Sequence, residues 1–146
     1  EGKQELFKTV KNEIVLTPHL KEFSRISGLT LDEILKNKLL LAEQFSKDFN
    51  CTLVLKGANS IISHKGKETF ISSFANSALA KGGTGDVLAG FIGGLIAQGV
   101  EPYKAACLGV YIHGKTAEII SNEKTEYSLL PQDLINYLPK TLKYFL

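Results

Sequence analysis

The sequence predicts an α/β domain built on a mostly parallel sheet, and three observations carry that prediction. Cys51-Thr52-Leu53-Val54-Leu55 is a continuous apolar run, the pattern of a strand buried on both faces. A helical pattern separates it from an earlier short run, Glu13-Ile14-Val15-Leu16, so strand, helix and strand form a βαβ unit with an expected right-handed crossover. A glycine-rich stretch, Lys81-Gly82-Gly83-Thr84-Gly85-Asp86-Val87-Leu88-Ala89-Gly90, leads directly into an apolar helical segment. Open α/β sheets bind ligands in such loops, beyond the carboxyl ends of their strands.

Each element has a local reason. The first strand ends at Thr17-Pro18, because proline stops the ladder and biases its predecessor toward extended geometry. A short helix is expected from about Lys21 to Ile26, closed by Gly28. Thr30-Leu31-Asp32-Glu33 is a capping box, and the cap contributes roughly 1 kcal/mol. One helix should follow, with Leu31, Ile34, Leu35, Leu41, Ala42, Phe45 and Phe49 at mostly helical spacing. Ser60-Ile61-Ile62-Ser63 and Glu68-Thr69-Phe70-Ile71 flank His64-Lys65-Gly66-Lys67 as a hairpin. The helix from about Gly85 to Gln98 is apolar nearly all round and is expected to be buried. Pro102 suits the first turn of a further helix running to about Ser121, and a last helix begins near Pro131.

The chain of 146 residues is long enough for one domain with a real core. Its 44% apolar and 22% charged content is that of an ordinary globular protein. No basic run or stripe supports a nucleic-acid role, and the +2 formal charge argues neither for nor against an acidic partner. Cys51 and Cys107 form no CxxC pair and sit in apolar surroundings, so they read as core residues in a reducing, cytoplasmic setting. His19, His64 and His113 have no metal-ligand spacing, and the run Val87 to Ala97 is too short and glycine-rich to span a membrane. A chain without methionine that starts at Glu1 reads as a processed chain or as a piece of something longer.

The glycine stretch carries the chemistry. Glycines let backbone N–H groups turn inward and a ligand approach closely, and a helix starting there adds free donors and a partial positive end. Asp86 is the unusual member, because a carboxylate repels a passively held phosphate. It fits an acid that deprotonates a hydroxyl about to attack a phosphoryl group. The simpler alternative is that Thr84 or Asp86 only caps the helix. The stretch lacks the Lys-Ser/Thr of a P-loop and is not GxGxxG. Gly85 is expected to hold a positive φ. Lys56-Gly57-Ala58-Asn59-Ser60 follows a strand directly and reads either as a nucleotide contact or as a plain turn. Thr17-Pro18-His19 also lies beyond a strand end, where His19 could reach the same crevice. Asn76 and Lys81 flank the loop as donors to anionic oxygens or as turn residues, and His113-Gly114 reads first as helix packing.

Together these pieces resemble the ADP- or ATP-dependent NAD(P)H-hydrate dehydratases of the ribokinase-like superfamily. The likeness rests on Thr17-Pro18-His19, Lys56-Gly57-Ala58, Asn76 with Gly82 to Gly90, and Val110-Tyr111-Ile112-His113-Gly114. It covers residues from about 12 onward and implies a three-layer α/β/α fold, of which 1–146 would be the carboxy-terminal part. The resemblance implies repair of NAD(P)H that has gained water: the new ring hydroxyl is phosphorylated by ADP or ATP with Mg²⁺, and phosphate then leaves. It implies Asp86 as the catalytic acid–base beside the hydrate. It also implies His19 as a substrate contact, and Lys56, Gly57, Ala58, Asn59, Ser60, Gly82, Gly83, Thr84 and Gly85 as nucleotide contacts. Leu20 and Lys21 stand where the family has Pro and Gly, Ala75 where it has Gly, and Ser60 where it has Thr; Glu22 keeps the family residue. The missing amino-terminal half is an expected partner, the protein is expected to be a homo-oligomer, and the fragment alone should be inactive. Two other readings use the same residues. One is a ribokinase-like kinase for a small alcohol such as a vitamin precursor, and the other is a noncatalytic nucleotide-binding module.

Overall fold

The computed structural model describes residues 6–145. The chain divides into two compact units, Glu1–Ser72 and Ser73–Leu146.

In the first unit a helical turn, α1 (Leu6–Thr9), precedes β1 (Val15–Leu16), α2 (Leu20–Ser27), α3 (Leu31–Lys36), α4 (Lys38–Asp48), β2 (Thr52–Leu55), β3 (Ile61–Ser63) and β4 (Phe70–Ile71). The sheet order is β1-β2-β3-β4. β1 and β2 are parallel, with Val15 opposite Thr52 and Leu16 opposite Leu53. β3 and β4 then run antiparallel to their neighbours, with Val54 opposite Ile62 and Ile62 opposite Phe70. The expected hairpin is present, but the sheet is mixed rather than mostly parallel. Only the β1–β2 connection is long enough to carry crossover helices; the β2–β3 and β3–β4 links are short loops, which join antiparallel strands.

All four residues of β2 are buried, as a continuous apolar run requires. Leu53 and Leu55 pack with Phe23, Ile34, Ala42, Phe45, Cys51 and Ile61. Edge-on rings extend this core, with Phe23 and Phe45 centroids 5.3 Å apart. Burial pushes the Cys51 thiol up to about 11, which makes it an inert core residue. α2 ends on Gly28 at φ +77°, a conformation that glycine adopts without strain.

The capping box at Thr30 and Glu33 forms, but its helix stops early. Asn37 (φ −137°, ψ 37°) breaks the expected single helix into α3 and α4. Asparagine competes for its own backbone bonds and is a poor helix interior. Leu31 and Leu35 are exposed, whereas Ile34, Ala42 and Phe45 are buried.

Among the described residues, the second unit holds a 3-10 turn (Ser77–Ala80) and three helices: α5 (Thr84–Ala97), α6 (Pro102–Glu123) and α7 (Pro131–Leu142). α6 is the buried helix, with eleven residues from Ala105 to Ile120 inside. Its glycines permit close approach. A Cβ on Gly109 would lie 2.6 Å from the Ile92 side chain of α5, and one on Gly114 would lie 2.4 Å from the Phe74 ring. Leu129 and Leu134 join Ala78, Ala117 and Ile120 in the core of this unit. α5 departs from expectation, because only Thr84, Leu88 and Ile92 are buried. Ala89, Gly90, Gly93, Gly94 and Ala97 are exposed. An all-round apolar sequence states what a helix can bury, not what lies against it.

Candidate active site

Two groups of chemistry-bearing residues form, one in each unit. In the first, the backbone carries the β1–β2 pairing past both strand ends: the Lys56 N–H donates to the Pro18 carbonyl at 2.8 Å, bridging His19 and Lys56. This brings together two motifs far apart in sequence. His19 is the N-cap of α2. Its Nδ1 accepts the Glu22 N–H at 3.1 Å, and the Glu22 carboxylate accepts the His19 N–H at 2.7 Å. Nδ1 is thus an acceptor, and Nε2 is left to carry the ring proton. Nε2 lies 3.4 Å from Glu22 Oε1, and the Lys56 ammonium lies 3.8 Å from Oε2. A reciprocal cap so closes the turn after His19, with Leu20 and Lys21 between its two members.

Lys56 to Ser60 make a tight turn. The Gly57 N–H lies 3.3 Å from Ser60 Oγ, and that hydroxyl lies 3.3 Å from the Gly57 carbonyl. Ala58 and Asn59 are exposed at its tip.

The glycine loop organises the second unit. Gly83 has φ +89° and is the N-cap of α5. The positive φ therefore falls on Gly83, while Gly85 lies in the first turn of α5 with an ordinary φ. Thr84 points inward. Its hydroxyl lies 2.7 Å from the Leu79 carbonyl and 2.8 Å from that of Lys81, and its N–H reaches the Lys81 carbonyl at 3.3 Å. Among the described residues, the N–H groups of Gly82, Gly83, Gly85 and Asp86 have no protein acceptor. The Asp86 side chain is exposed in the same turn. The result is a set of open donors beside one carboxylate, at the positive end of a 14-residue helix.

The flanking residues have structural roles. Asn76 donates from Nδ2 to Ser121 Oγ at 2.9 Å and accepts the Ala78 N–H, so it caps the 3-10 turn. Lys81 reaches three backbone carbonyls and has no donor left for an anion. His113 is buried, and its Nε2 lies 2.9 Å from the Thr84 carbonyl. Helix packing, the first reading of His113-Gly114, is correct, but the contact to the glycine loop was not visible in sequence.

The comparisons with known proteins agree with one another. A profile of the family described as NAD(P)H-hydrate dehydratase matches residues 1–140. The ADP-dependent (S)-NAD(P)H-hydrate dehydratase of Bacillus subtilis is 35% identical over 132 residues, which are 90% of this chain and 48% of that protein. The bifunctional NAD(P)H-hydrate repair enzyme Nnr of Moorella thermoacetica is 35% identical over 130 residues, 89% of this chain and 24% of that protein. Among solved structures, the Bacillus subtilis ADP/ATP-dependent NAD(P)H-hydrate dehydratase co-crystallized with ATP/Mg²⁺ superimposes with a TM-score of 0.87 at 34% identity. That match covers 92% of this chain and 48% of the other. A ribokinase-like superfamily protein from Enterococcus faecalis gives a TM-score of 0.79 at 31% identity, covering 97% and 50%. The fold is ribokinase-like α/β, and the chain spans half or less of the length of these relatives.

Proposed function

The chain belongs to the NAD(P)H-hydrate dehydratase family, and from that premise we propose that its protein restores NAD(P)H from the hydrated cofactor, using ADP or ATP as phosphoryl donor. The observation that carries this reading is the pairing of open loop N–H groups with the Asp86 carboxylate in one helical turn. Gly82, Gly83, Gly85 and Asp86 offer N–H donors to the transferred phosphoryl, where charge is spread over its equatorial oxygens. Thr84 contributes by holding the loop, since its hydroxyl and N–H are engaged within the protein. Asp86 accepts the proton of the ring hydroxyl as that oxygen attacks phosphorus and the nucleotide leaves. The phosphorylated oxygen then departs as inorganic phosphate, and loss of a neighbouring ring proton restores the double bond. Within the first unit, the family resemblance makes Lys56 and the turn from Gly57 through Ala58 and Asn59 to Ser60 the proposed nucleotide contacts, and His19 the proposed substrate contact.

Mg²⁺ would neutralise the donor's phosphates. Such an ion is held by substrate phosphates and one or two carboxylates rather than by a protein cage. Asp86 is the acid in the loop, and among the described residues no group of three His, Cys, Asp or Glu could hold a metal alone.

We take the rest of a family-length domain to cover the exposed small residues of α5, with a homo-oligomer as the working form. A cytoplasmic setting is supported by free cysteines. Among the described residues no helix is long and apolar enough to cross a membrane.

The test is Asp86→Asn in the intact protein, assayed by return of the near-ultraviolet absorbance of NADH and release of inorganic phosphate. Turnover should fall on the order of 10²–10⁴-fold, the usual effect of removing a general base, with nucleotide affinity within a few-fold. A stable phosphate ester as product would instead identify a small-molecule kinase.

A further inference from the structure

By position, Lys81 is the natural phosphate ligand of the glycine loop, and its contacts contradict that role. Its ammonium lies 3.0 Å from the Glu126 carbonyl, 2.7 Å from that of Tyr127 and 2.8 Å from that of Leu129. An ammonium has three donors, and here each has an acceptor. All three carbonyls belong to the segment that joins α6 to α7. On a second side, the His113 ring of α6 donates from Nε2 to the Thr84 carbonyl at 2.9 Å. Its side chain is buried, so this bond is shielded from water. Thr84 closes the root of the loop from within, through the Leu79 and Lys81 carbonyls. The backbone of 81–84 is thereby tied to a 3-10 turn, to α6 and to the α6–α7 connection. The N–H groups of Gly82, Gly83, Gly85 and Asp86 stay open.

We infer that Lys81 and His113 are positioning residues of the glycine loop. Neither touches the nucleotide; both fix the backbone that carries the open donors and Asp86. The inference rests on the reading of this loop as the phosphoryl-transfer site. Donors of this kind help most when they are set before charge develops, because no reorganisation is then needed. A displacement of about 1 Å in such a group can lower the rate on the order of 10²-fold.

The experiment uses the intact protein with Lys81→Met, His113→Leu and His113→Gln. Lys81→Met and His113→Leu should each lower kcat by roughly 10–10²-fold, with KM for ADP and ATP within about threefold. Both should speed amide hydrogen exchange across Gly82–Asp86. His113→Gln keeps an N–H donor and should restore kcat to within about fivefold of the parent. The salt dependence of nucleotide affinity should be unchanged in Lys81→Met, because the lost charge faces carbonyls and not phosphate. A raised KM with parental kcat and a flattened salt dependence would make Lys81 a phosphate ligand and overturn the inference. So would parental kcat with parental exchange in both variants. If Lys81→Met does not fold, the His113→Leu and His113→Gln pair gives the same decision. A parent protein without nucleotide-dependent repair defeats the reading of the site instead, and amide exchange then decides the positioning role alone.

Discussion

Replacing Gly83 by Ala tests whether the loop has the backbone described here. Gly83 sits at φ +89° and ψ −20°, in the left-handed region. An L-residue there costs roughly 1–2 kcal/mol, because its Cβ crowds the following carbonyl. The new Cβ would also stand 3.0 Å from Cγ and 3.5 Å from Cβ of Pro131. Pro131 opens α7, and its ring cannot swing aside as a long side chain could. The two effects together should cost about 2 kcal/mol, within the usual range for backbone strain. For a chain of this size that lowers Tm by about 5–8 °C. Differential scanning calorimetry reads it directly. Gly83→Asn is the informative control: asparagine tolerates the left-handed region but keeps the contact with Pro131, so about half the loss should return. A Gly83→Ala protein that melts within about 1 °C of the parent would refute the assignment of strain to this residue.

Other outcomes follow from single features. Gly85→Val should weaken ADP and ATP binding more than it lowers Tm, because a β-branched side chain would stand beside an open N–H of the cradle; calorimetric titration with unchanged affinity would remove the loop from nucleotide binding. Thr52→Val should stabilise by about 1 kcal/mol, seen as a higher urea midpoint, since the buried Thr52 hydroxyl lacks a partner among the described residues. Asp133 accepts the Leu130 N–H at 2.9 Å and the Lys124 ammonium at 3.0 Å, and these bonds, the backbone one foremost, hold its carboxyl below the usual range. A depressed carboxyl stabilises the fold above its unfolded pKa of about 3.9, and that contribution fades as pH falls through the lower folded value. The Tm gap between the parent and Asp133→Asn should therefore be full at neutral pH and close in acid; a gap independent of pH would contradict the pairing.

Where a local rule governed, the sequence was legible. Gly28 ended α2, Thr30 and Glu33 formed their box, Pro102 and Pro131 opened helices, and the 64–67 turn joined two antiparallel strands. Each depends on bonds within a few residues. The break at Asn37 was hidden, because Ile34, Ala42 and Phe45 keep helical spacing across it. The mixed sheet was hidden too, since the apolar run of β2 is the same whichever direction its partner runs.

At the candidate site, the Gly82–Asp86 stretch was readable because glycines and a helix start make open donors wherever they occur. The Lys56 turn and the His19 motif were likewise readable as strand-end features, but their meeting through the Pro18 carbonyl and Glu22 belongs to the fold. Lys81 is the clearest division between the two. Its type and place suggest an anion ligand, and only the arrival of the 126–129 carbonyls decides that it is a brace. A side chain's bonding capacity is set by its chemistry, whereas the partner that fills it is set by chain segments that only folding brings near.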